Sequence, residues 1–359
     1  MGVRGGGDRS LAKYTKEKQE IQKMSKCYIC PRECGAQRAQ GELGYCRAPD
    51  GFLVAKTMLH RWEEPCISGK GGAGTVFFSG CNLGCVYCQN REISGGNTGT
   101  VMSDNELERK IFSLVEQGAE CVEFVTPTHY TARLASLIER IKPRLDVPVV
   151  WNSGGYEKSE SLRMLDGLVD VYLPDIKYFS PKISQNYSCA PNYLEFALPA
   201  LREMLRQVGK PKLCSTKEQF STINSEISST NPQKEYTNSE ISTTNSDNKI
   251  LRKGVIVRHL VLPSHREDSI SLLRLLASEV GTDNILLSLM SQYTPDFYIE
   301  RESLPDGSPK YSELCRRVTS FEYNSVLKIA EELGFEGYLQ AKSSATKAYT
   351  PNFSETQDA

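Results

Sequence analysis

The stretch GTVFFSGCNLGCVYCQN at residues 74–90 places three closely spaced cysteines directly after an apolar run. Residues 75–79 are short, apolar and flanked by glycines, which predicts a buried β-strand. Cys81, Cys85 and Cys88 follow it in C-x3-C-x2-C spacing. Because β/α barrels carry their chemistry in the loops after their strands, this cysteine loop is the candidate functional site.

The rest of the chain repeats the alternation of short apolar runs with helical patterns. Further strands are predicted at 121–126, 147–152, 169–174, 254–261 and 284–290. Capping boxes at Ser103 with Glu106 and at Thr319 with Glu322 begin two helices. Helical spacing predicts others at 130–142, 159–166, 193–208 and 266–279. Six such units predict an α/β fold, a partial (β/α)6 TIM-like barrel whose parallel sheet is covered on both faces.

The domain organisation follows from the segments that interrupt this pattern. A cysteine-rich module is predicted at 26–66 and the barrel at 67–353, with a disordered leader at 1–25 and a tail at 354–359. Residues 210–250 are polar and contain the near-duplicates NSEISSTN and NSEISTTN. Such a stretch buries too little apolar surface to offset its ordering entropy, which predicts a disordered low-complexity insertion in the barrel.

Composition and charge exclude several classes of partner. The 359-residue chain has a formal net charge of −1, which predicts no general attraction to nucleic acid or to anionic membranes. No apolar run is long enough to span a bilayer, and the basic N-terminus lacks the apolar stretch of a secretory signal. We therefore expect a cytoplasmic protein. In that compartment, clustered cysteines are expected to bind metal rather than form disulfides.

Three thiolates in one loop suit an iron–sulfur cluster. Cys81, Cys85 and Cys88 would hold three corners of a [4Fe–4S] cluster and leave the fourth iron open to an exogenous ligand. The alternatives are a zinc ion that takes its fourth ligand from elsewhere, or three unrelated thiols. The position of the loop after the first barrel strand favours the cluster.

A second group of cysteines lies near the N-terminus. Cys27, Cys30, Cys34 and Cys46 supply four soft ligands, enough to close a zinc site or to bind a second iron–sulfur cluster. A pair of disulfides is the alternative that the predicted compartment disfavours. A second cluster would relay electrons, whereas zinc would be structural.

Several segments together resemble a known family. They are CYICPRECGAQRAQGELGYC, HRWEEPCISGKGGAGTVFFSGCNLGCVYCQN, VTPTHY, NSGGYE, YLPDIKY, VIVRHLVLPSH and SLMSQYTP. The chain resembles the radical S-adenosylmethionine (SAM) superfamily, and within it the branch similar to pyruvate formate-lyase activating enzymes, over about 26–353 apart from the insertion. The resemblance implies that the cluster reductively cleaves SAM to a 5′-deoxyadenosyl radical that abstracts hydrogen.

The same resemblance implies partners. It implies an electron donor such as flavodoxin or ferredoxin and a protein substrate of the glycyl-radical type. Radical modification of another small molecule or macromolecule is a second hypothesis. A third hypothesis is a cluster- or zinc-binding interaction protein without SAM chemistry. In the activating enzymes a Gly-Gly-Glu segment holds the SAM amino group. Here residues 125–130, VTPTHY, stand in its place and lack the Glu.

Residues from several strand ends are candidates for the SAM pocket. By resemblance, the segment 152–156 lines this pocket, and Asn152 and Asp175 help to bind the methionyl group of SAM. Arg258 interrupts an apolar strand, and a charged side chain there must face a pocket or a partner. The full candidate set for SAM is Tyr87, Thr126, Thr128, Asn152, Ser153, Asp175, Lys177 and Arg258.

Other polar residues have open roles at this stage. His129 is either a ligand-facing residue or an ordinary loop histidine, and His259 is expected to be structural because it faces away from Arg258. Glu63 and Glu64 either face the substrate or are simply solvated. Further pocket candidates lie after the sixth strand, at Ser291 and Gln292.

Overall fold

The computed structural model describes residues 26–215, 249–295, 303–305, 308–339, 351 and 353. The predicted leader, the predicted tail and residues 216–248 of the predicted insertion lie outside these residues. The described part contains one open sheet with helices packed on it. The strands are β1 (Phe52–His60), β2 (Ala73–Phe78), β3 (Thr100–Met102), β4 (Cys121–Val125), β5 (Val149–Ser153), β6 (Val171–Pro174), β7 (Lys212–Ser215), β8 (Lys249–Leu260), β9 (Leu286–Met290) and β10 (Gly337–Leu339).

The sheet is mostly parallel. Its strand order is β10-β9-β8-β6-β5-β4-β2-β1-β3, with β7 paired to β8 beside this path. The sheet contains seven strands that run parallel to one another, namely β2, β4, β5, β6, β8, β9 and β10. Strand β1 pairs antiparallel with β2 and β3, and β7 pairs antiparallel with β8. All six predicted strands are therefore present, and the α/β class is confirmed with a sheet consistent with a partial barrel.

The predicted insertion of 210–250 is too wide at both ends. Residues Lys212–Ser215 form β7, which pairs antiparallel with the first half of β8, beginning at Ser215 opposite Lys249. The apolar positions Ile250 and Leu251 are 1% exposed, so this hairpin belongs to the folded domain. Sequence reasoning missed it because the polar composition of the neighbouring stretch masked two short ordered ends.

The helices cover the outer face of the sheet. Leu107 and Ile111 of the first long helix and Leu134 of the next pack against strand residues such as Phe124 in one large apolar core. None of the described helices is both long and apolar enough to cross a membrane. The α-helices are α1 (Pro65–Ser68), α2 (Arg91–Ser94), α3 (Asp104–Glu116), α4 (Thr131–Ile141), α5 (Ser159–Leu162), α6 (Pro181–Ser188), α7 (Tyr193–Val208), α8 (Arg266–Glu279) and α9 (Ser320–Glu332).

Short 3₁₀ turns complete the described elements, and both predicted capping boxes are present. The side chains of Ser103 and Thr319 accept the N–H of the glutamate three residues on, and that glutamate bonds back to the cap. The 3₁₀ turns are Arg38–Gln40, Thr128–Tyr130, Lys142–Arg144, Arg163–Leu165, Thr282–Asn284 and Ser312–Leu314.

The inner face of the sheet changes from apolar to polar along the strands. Its lower layer is a separate apolar core that includes Cys66 and Ile67 of α1, together with Ala73, Cys121, Val150, Val171, Ile256 and Leu286 of the strands. Side chains two residues further along a strand point to the same face. That next layer contains Thr75, Glu123, Asn152, Arg258 and Ser288. The fold therefore presents a polar interior just below the ends of the strands.

Candidate functional site

The cysteine loop, residues 80–90, begins where β2 ends. Gly80 and Gly84 have φ of +85° and +73°, a left-handed conformation that glycine adopts without strain. A Cβ on Gly80 would also collide with the carbonyl oxygen of Cys46. The chain therefore needs glycine at residue 80, both to turn and to pack against the N-terminal cysteines.

The three thiols of this loop lie close enough to influence one another. Burial raises the pKa of Cys81, and burial raises that of Cys88 to about 12, with neighbouring thiols adding to both shifts. Lys177 opposes these shifts because its ammonium group favours the thiolates. A cationic iron centre would remove the repulsion among three thiolates, so the donor set fits an iron–sulfur cluster.

The described residues contain no group of three or more His, Cys, Asp or Glu arranged around the position of a single metal ion. A [4Fe–4S] cluster binds each cysteine through a different iron, so its ligands do not share one position.

A chain of ion pairs leads from the thiols into the barrel. The Nζ atom of Lys177 lies 2.6 Å from Oδ2 of Asp175, and Nε of Arg258 lies 3.0 Å from Oδ1 of the same carboxylate. Burial alone would raise the pKa of Asp175, but the two cations outweigh it and lower that pKa. Arg258 lies on β8, whereas Asp175 and Lys177 directly follow β6, and all three side chains keep 17–19% of their surface exposed, so they remain accessible near the ends of the strands.

Hydrogen bonds extend this network of ion pairs to a buried carboxylate, that of Glu123 in β4. Arg258 donates through Nη2 to Oδ1 of Asn152 at 2.6 Å, and Nδ2 of Asn152 donates to Glu123 at 2.7 Å. Thr75 donates its hydroxyl to the other oxygen of Glu123, also at 2.7 Å. Burial raises the pKa of Glu123, against these two hydrogen bonds. The predicted residues Asn152, Asp175, Lys177 and Arg258 are thus brought into one connected network.

Glu64 is buried and Glu63 is partly buried, so neither is simply a solvated surface residue. Glu64 is 4% exposed, and Oε2 of Glu63 lies 3.4 Å from Nη1 of Arg258. Burial, followed by the charge of Glu123, holds the pKa of Glu63 well above its usual range. The segment that links the N-terminal module to the barrel therefore contributes to the interior network.

Thr126 ends β4 in an unusual backbone conformation. Its φ is +57°, which is rare for a β-branched residue and is typical of backbone held by its surroundings. Its N–H donates to the carbonyl of Asn152 at 2.9 Å.

Two other predicted residues bond to a different carboxylate. Thr128 and Ser153 donate their hydroxyls to Glu157 at 3.0 and 2.5 Å, as does the indole N–H of Trp151 at 3.0 Å. Their hydroxyls therefore serve to fix the loop after β5.

Tyr87 belongs to an aromatic cluster beneath the cysteine loop. Its hydroxyl donates to that of Tyr178 at 2.6 Å, and Tyr178 is in turn 2.6 Å from the hydroxyl of Ser188. Ser188 donates to Sγ of Cys85 at 2.9 Å. The tyrosine is thus linked to one of the three thiols through two hydroxyl groups.

The histidines have supporting positions. His259 is 1% exposed and lies 2.7 Å from the carbonyl of Ile176 and 2.9 Å from Oγ of Ser269, as expected for a structural residue. His129 is 2% exposed and packs edge-on against Phe78, and burial lowers its pKa to about 3. Both remain neutral. Ser291 is buried and Gln292 is partly buried after β9.

The four N-terminal cysteines also cluster. Burial raises the pKa of Cys30 to about 12, and the other three thiols add to the shift. Nη2 of Arg38 lies 3.2 Å from Sγ of Cys46. All twelve cysteines lie within the described residues and none is in a disulfide.

Residues 75–216 match a family model described as the Radical SAM superfamily. This part of the chain is therefore similar to the radical SAM superfamily. The match begins in β2 and includes the three cysteines, Asn152, Asp175 and Lys177, whereas Arg258 lies beyond it.

One relative of this chain is an uncharacterized protein from Methanocaldococcus jannaschii. The two are 25% identical over 329 residues, which is 89% of this chain and 79% of the relative.

Solved structures with a similar arrangement include a radical SAM methyltransferase from Sphaerobacter thermophilus, at 9% identity, TM-score 0.42, 74% of this chain and 66% of that protein. SuiB from Streptococcus suis bound to SAM is 9% identical, with a TM-score of 0.42, and the match covers 73% of this chain and 48% of SuiB. Methylornithine synthase is 13% identical, with a TM-score of 0.43, and the match covers 73% of this chain and 66% of the synthase. The chain thus spans about half to two thirds of these proteins. None of these names refers to pyruvate formate-lyase activation, so that branch rests on the sequence motifs.

Sequence reasoning missed two residues of the candidate site. Glu123 interrupts the apolar run CVEFVT just as Arg258 interrupts its own strand, and the same argument about buried charge identifies it. Arg32 contacts the cysteine loop from the N-terminal module. No local pattern marks Arg32, because its partners are backbone carbonyls far away in sequence.

Proposed function

We propose that this chain is a radical SAM enzyme whose Cys81, Cys85 and Cys88 hold a [4Fe–4S] cluster. The observation that carries the proposal is the position of these thiols within the electrostatic influence of Lys177, which pairs with Asp175 and, through that carboxylate, with Arg258. When bound, the cluster supplies one electron, which breaks the C5′–S bond of SAM and yields a 5′-deoxyadenosyl radical and methionine.

The chain's own residues bind and orient SAM. Arg258 offers a planar guanidinium that suits a carboxylate or a pair of ribose hydroxyls. Asn152 and Asp175 contribute an amide and a carboxylate beside it. The strained backbone at Thr126 supplies a fixed carbonyl for the SAM amino group in place of the missing glutamate. The glycine-rich loop and the aromatic cluster around Tyr87 exclude water from the reacting atoms.

The test is anaerobic reconstitution with iron and sulfide, followed by dithionite and SAM. We expect 5′-deoxyadenosine by mass spectrometry in the wild type and in Cys214→Ala, which changes a thiol on β7 outside the site. Fully loaded protein that forms no 5′-deoxyadenosine would overturn the proposal and favour an interaction protein that only binds metal.

For the substrate, we propose a glycine Cα in a partner protein. Transfer of one hydrogen atom to the deoxyadenosyl radical would give 5′-deoxyadenosine and a glycyl radical. The support is the set of sequence motifs shared with activating enzymes. A small molecule or another macromolecule is the second candidate, because the relatives' names include a methyltransferase and a synthase.

These two substrates are distinguished by mixing the loaded protein and SAM with a glycyl-radical-type protein from the same genome. The glycyl hypothesis predicts a doublet in the EPR spectrum, split by the remaining α-hydrogen, and one 5′-deoxyadenosine per radical. 5′-Deoxyadenosine without that doublet would contradict the glycyl hypothesis and leave the SAM chemistry standing.

We also propose that Cys27, Cys30, Cys34 and Cys46 bind zinc or a second iron–sulfur cluster. The influence of the other three thiols on Cys30 supports ligands that lie near one another, and because they are not arranged around one metal position in this structure, zinc would require the side chains to rearrange. Flavodoxin or ferredoxin is the proposed electron donor. Metal analysis of a Cys81/Cys85/Cys88 triple alanine variant identifies the element at the N-terminal site, and the absence of any metal there would contradict a metal site.

A further inference from the structure

Arg32 extends from the N-terminal module onto the cysteine loop. It lies in the turn between Cys30 and Cys34, two of the four clustered thiols. Its Nε donates to the carbonyl of Asn82 at 2.7 Å, and its Nη2 donates to that of Leu83 at 3.2 Å. Both carbonyls belong to the segment that joins Cys81 to Cys85. One side chain of the module therefore fixes the backbone between two proposed cluster ligands.

The same guanidinium also holds the end of α6. It donates to the carbonyls of Ser188 and Cys189 at 2.9 and 2.5 Å. The last carbonyls of a helix have no partner within the helix and favour a cation. Because the hydroxyl of Ser188 donates to Cys85 at 2.9 Å, Arg32 supports that thiol from this side as well.

The module keeps Arg32 in place. Its guanidinium carbon lies 4.0 Å from the centre of the Tyr45 ring and 5.2 Å from that of Tyr156. The Tyr45 hydroxyl itself donates to the carbonyl of Leu83 at 3.0 Å. The turn is closed by the N–H of Glu33, which donates to the carbonyl of Cys30 at 3.1 Å. The conformation of the turn therefore depends on the same segment that carries the cysteines.

We propose that Arg32 is a positioning residue that couples the four-cysteine module to the cysteine loop, so that an intact module shapes the site for SAM. This rests on the proposed function for what the loop binds, but the coupling itself concerns only residues of this chain. A guanidinium offers five N–H donors in a rigid plane, and in Arg32 these donors bond to four backbone carbonyls. A lysine would keep the charge and lose most of these bonds.

The first test is hydrogen exchange of the cysteine loop without any cluster. The reporters are the N–H groups of Val86 and Cys88, which donate to Tyr187 at 2.8 Å and to Cys85 at 3.1 Å. We expect Arg32→Ala to speed their exchange by about tenfold, Arg32→Lys to have an intermediate effect, and Arg47→Ala to have none. Arg47 is an exposed arginine in the same module. Wild-type exchange rates in a folded Arg32→Ala protein would overturn the proposal.

Two further measurements separate coupling from general support. Cys30→Ser should speed exchange at the same two N–H groups, because it loosens the turn that carries Arg32; unchanged exchange would refute a link to the module. If Arg32→Ala does not fold, Arg32→Gln replaces it and is judged by the same rates.

In the reconstituted protein, SAM is titrated and the EPR spectrum is recorded. The SAM concentration at the midpoint of the spectral change should rise by about tenfold in Arg32→Ala and by less in Arg32→Lys. Equal midpoints would contradict a positioning role. A wild type that shows no spectral response to SAM would overturn the proposed function and leave the exchange result standing.

Discussion

The two groups of cysteines lie against each other but have different surroundings. The cysteine loop follows a strand end and lies near Lys177 and Asp175, two partly exposed side chains of opposite charge. The four-cysteine module is a compact set of turns with one guanidinium, that of Arg38, beside its thiols. In the proposed function, three ligands leave a position for a substrate, whereas four ligands close a site. The comparison teaches that the charged surroundings, as well as the number of thiols, distinguish the proposed reactive group of cysteines from the proposed supporting one.

The largest expected effect is the loss of one thiol of the loop. Cys88→Ala should reduce 5′-deoxyadenosine formation to background, because the cluster loses one of its three protein ligands. Iron content and 5′-deoxyadenosine are measured together, with Cys214→Ala as the matched control. Wild-type activity in Cys88→Ala would break the distinction between the two groups.

The next effect concerns the polar network that distinguishes the loop from the module. Arg258→Ala removes the cation that Asp175 and Glu63 share, but Asp175 keeps its ion pair with Lys177, so we expect a loss of about 1–3 kcal/mol in the free energy of unfolding. Arg258→Lys keeps the charge without the planar fork and should recover stability more than SAM affinity. Urea unfolding and SAM titration measure the two quantities; an equally stable Arg258→Ala would contradict the ion-pair network.

A smaller effect is expected in the four-cysteine module. Cys46→Ser should remove the metal proposed for the module and lower 5′-deoxyadenosine formation by roughly tenfold, because the cysteine loop is loosened but keeps its own thiols. Metal analysis and the SAM-dependent EPR change are the measurements. Complete loss of that EPR change, in a protein that remains folded, would show that the module takes part directly in the chemistry.

The smallest effect is expected away from both regions and provides a baseline. Glu322 caps α9 and forms a hydrogen-bonded ion pair with Arg316. The hydrogen bond from Arg316 is the main reason that the pKa of Glu322 lies far below its ordinary 4.5. Glu322→Gln should cost about 1–2 kcal/mol. Glu331→Gln, an exposed position on the same helix, should cost almost nothing.

The pH dependence of that baseline has a definite sign. Because the folded pKa of Glu322 is lowered, the unfolded chain takes up the proton first as the pH falls. The stabilisation is therefore complete above about pH 4.5 and is lost on acidification. Urea unfolding at pH 7 and pH 3 checks this, and an equal cost of Glu322→Gln at both values would contradict it.

The parallel core of the fold was predictable from sequence because its strands are short apolar runs. Each of the six lies within two residues of its predicted bounds except β8, which begins at Lys249 instead of 254. The strands β1, β3 and β10 were not predicted. They are edge or near-edge strands, and their half-exposed or very short sequences carry weak periodicity.

The candidate site was partly predictable for the same physical reason. Charged residues within apolar strands, such as Arg258, must face a partner, and the structure connects Arg258 to Asn152 and Asp175. Glu63 and Glu64 resisted prediction because their burial depends on how the linker docks into the barrel. The contact of Arg32 with Leu83 joins segments far apart in sequence through backbone atoms, which no residue pattern encodes.

The most direct test of the central claim is the EPR spectrum of the reduced, anaerobically reconstituted protein with and without SAM. If Cys81, Cys85 and Cys88 hold a cluster with one iron open to SAM, the wild-type spectrum changes when SAM is added and the triple alanine variant shows no such change. An unchanged spectrum in fully loaded wild type, or the same change in the triple variant, would contradict the assignment.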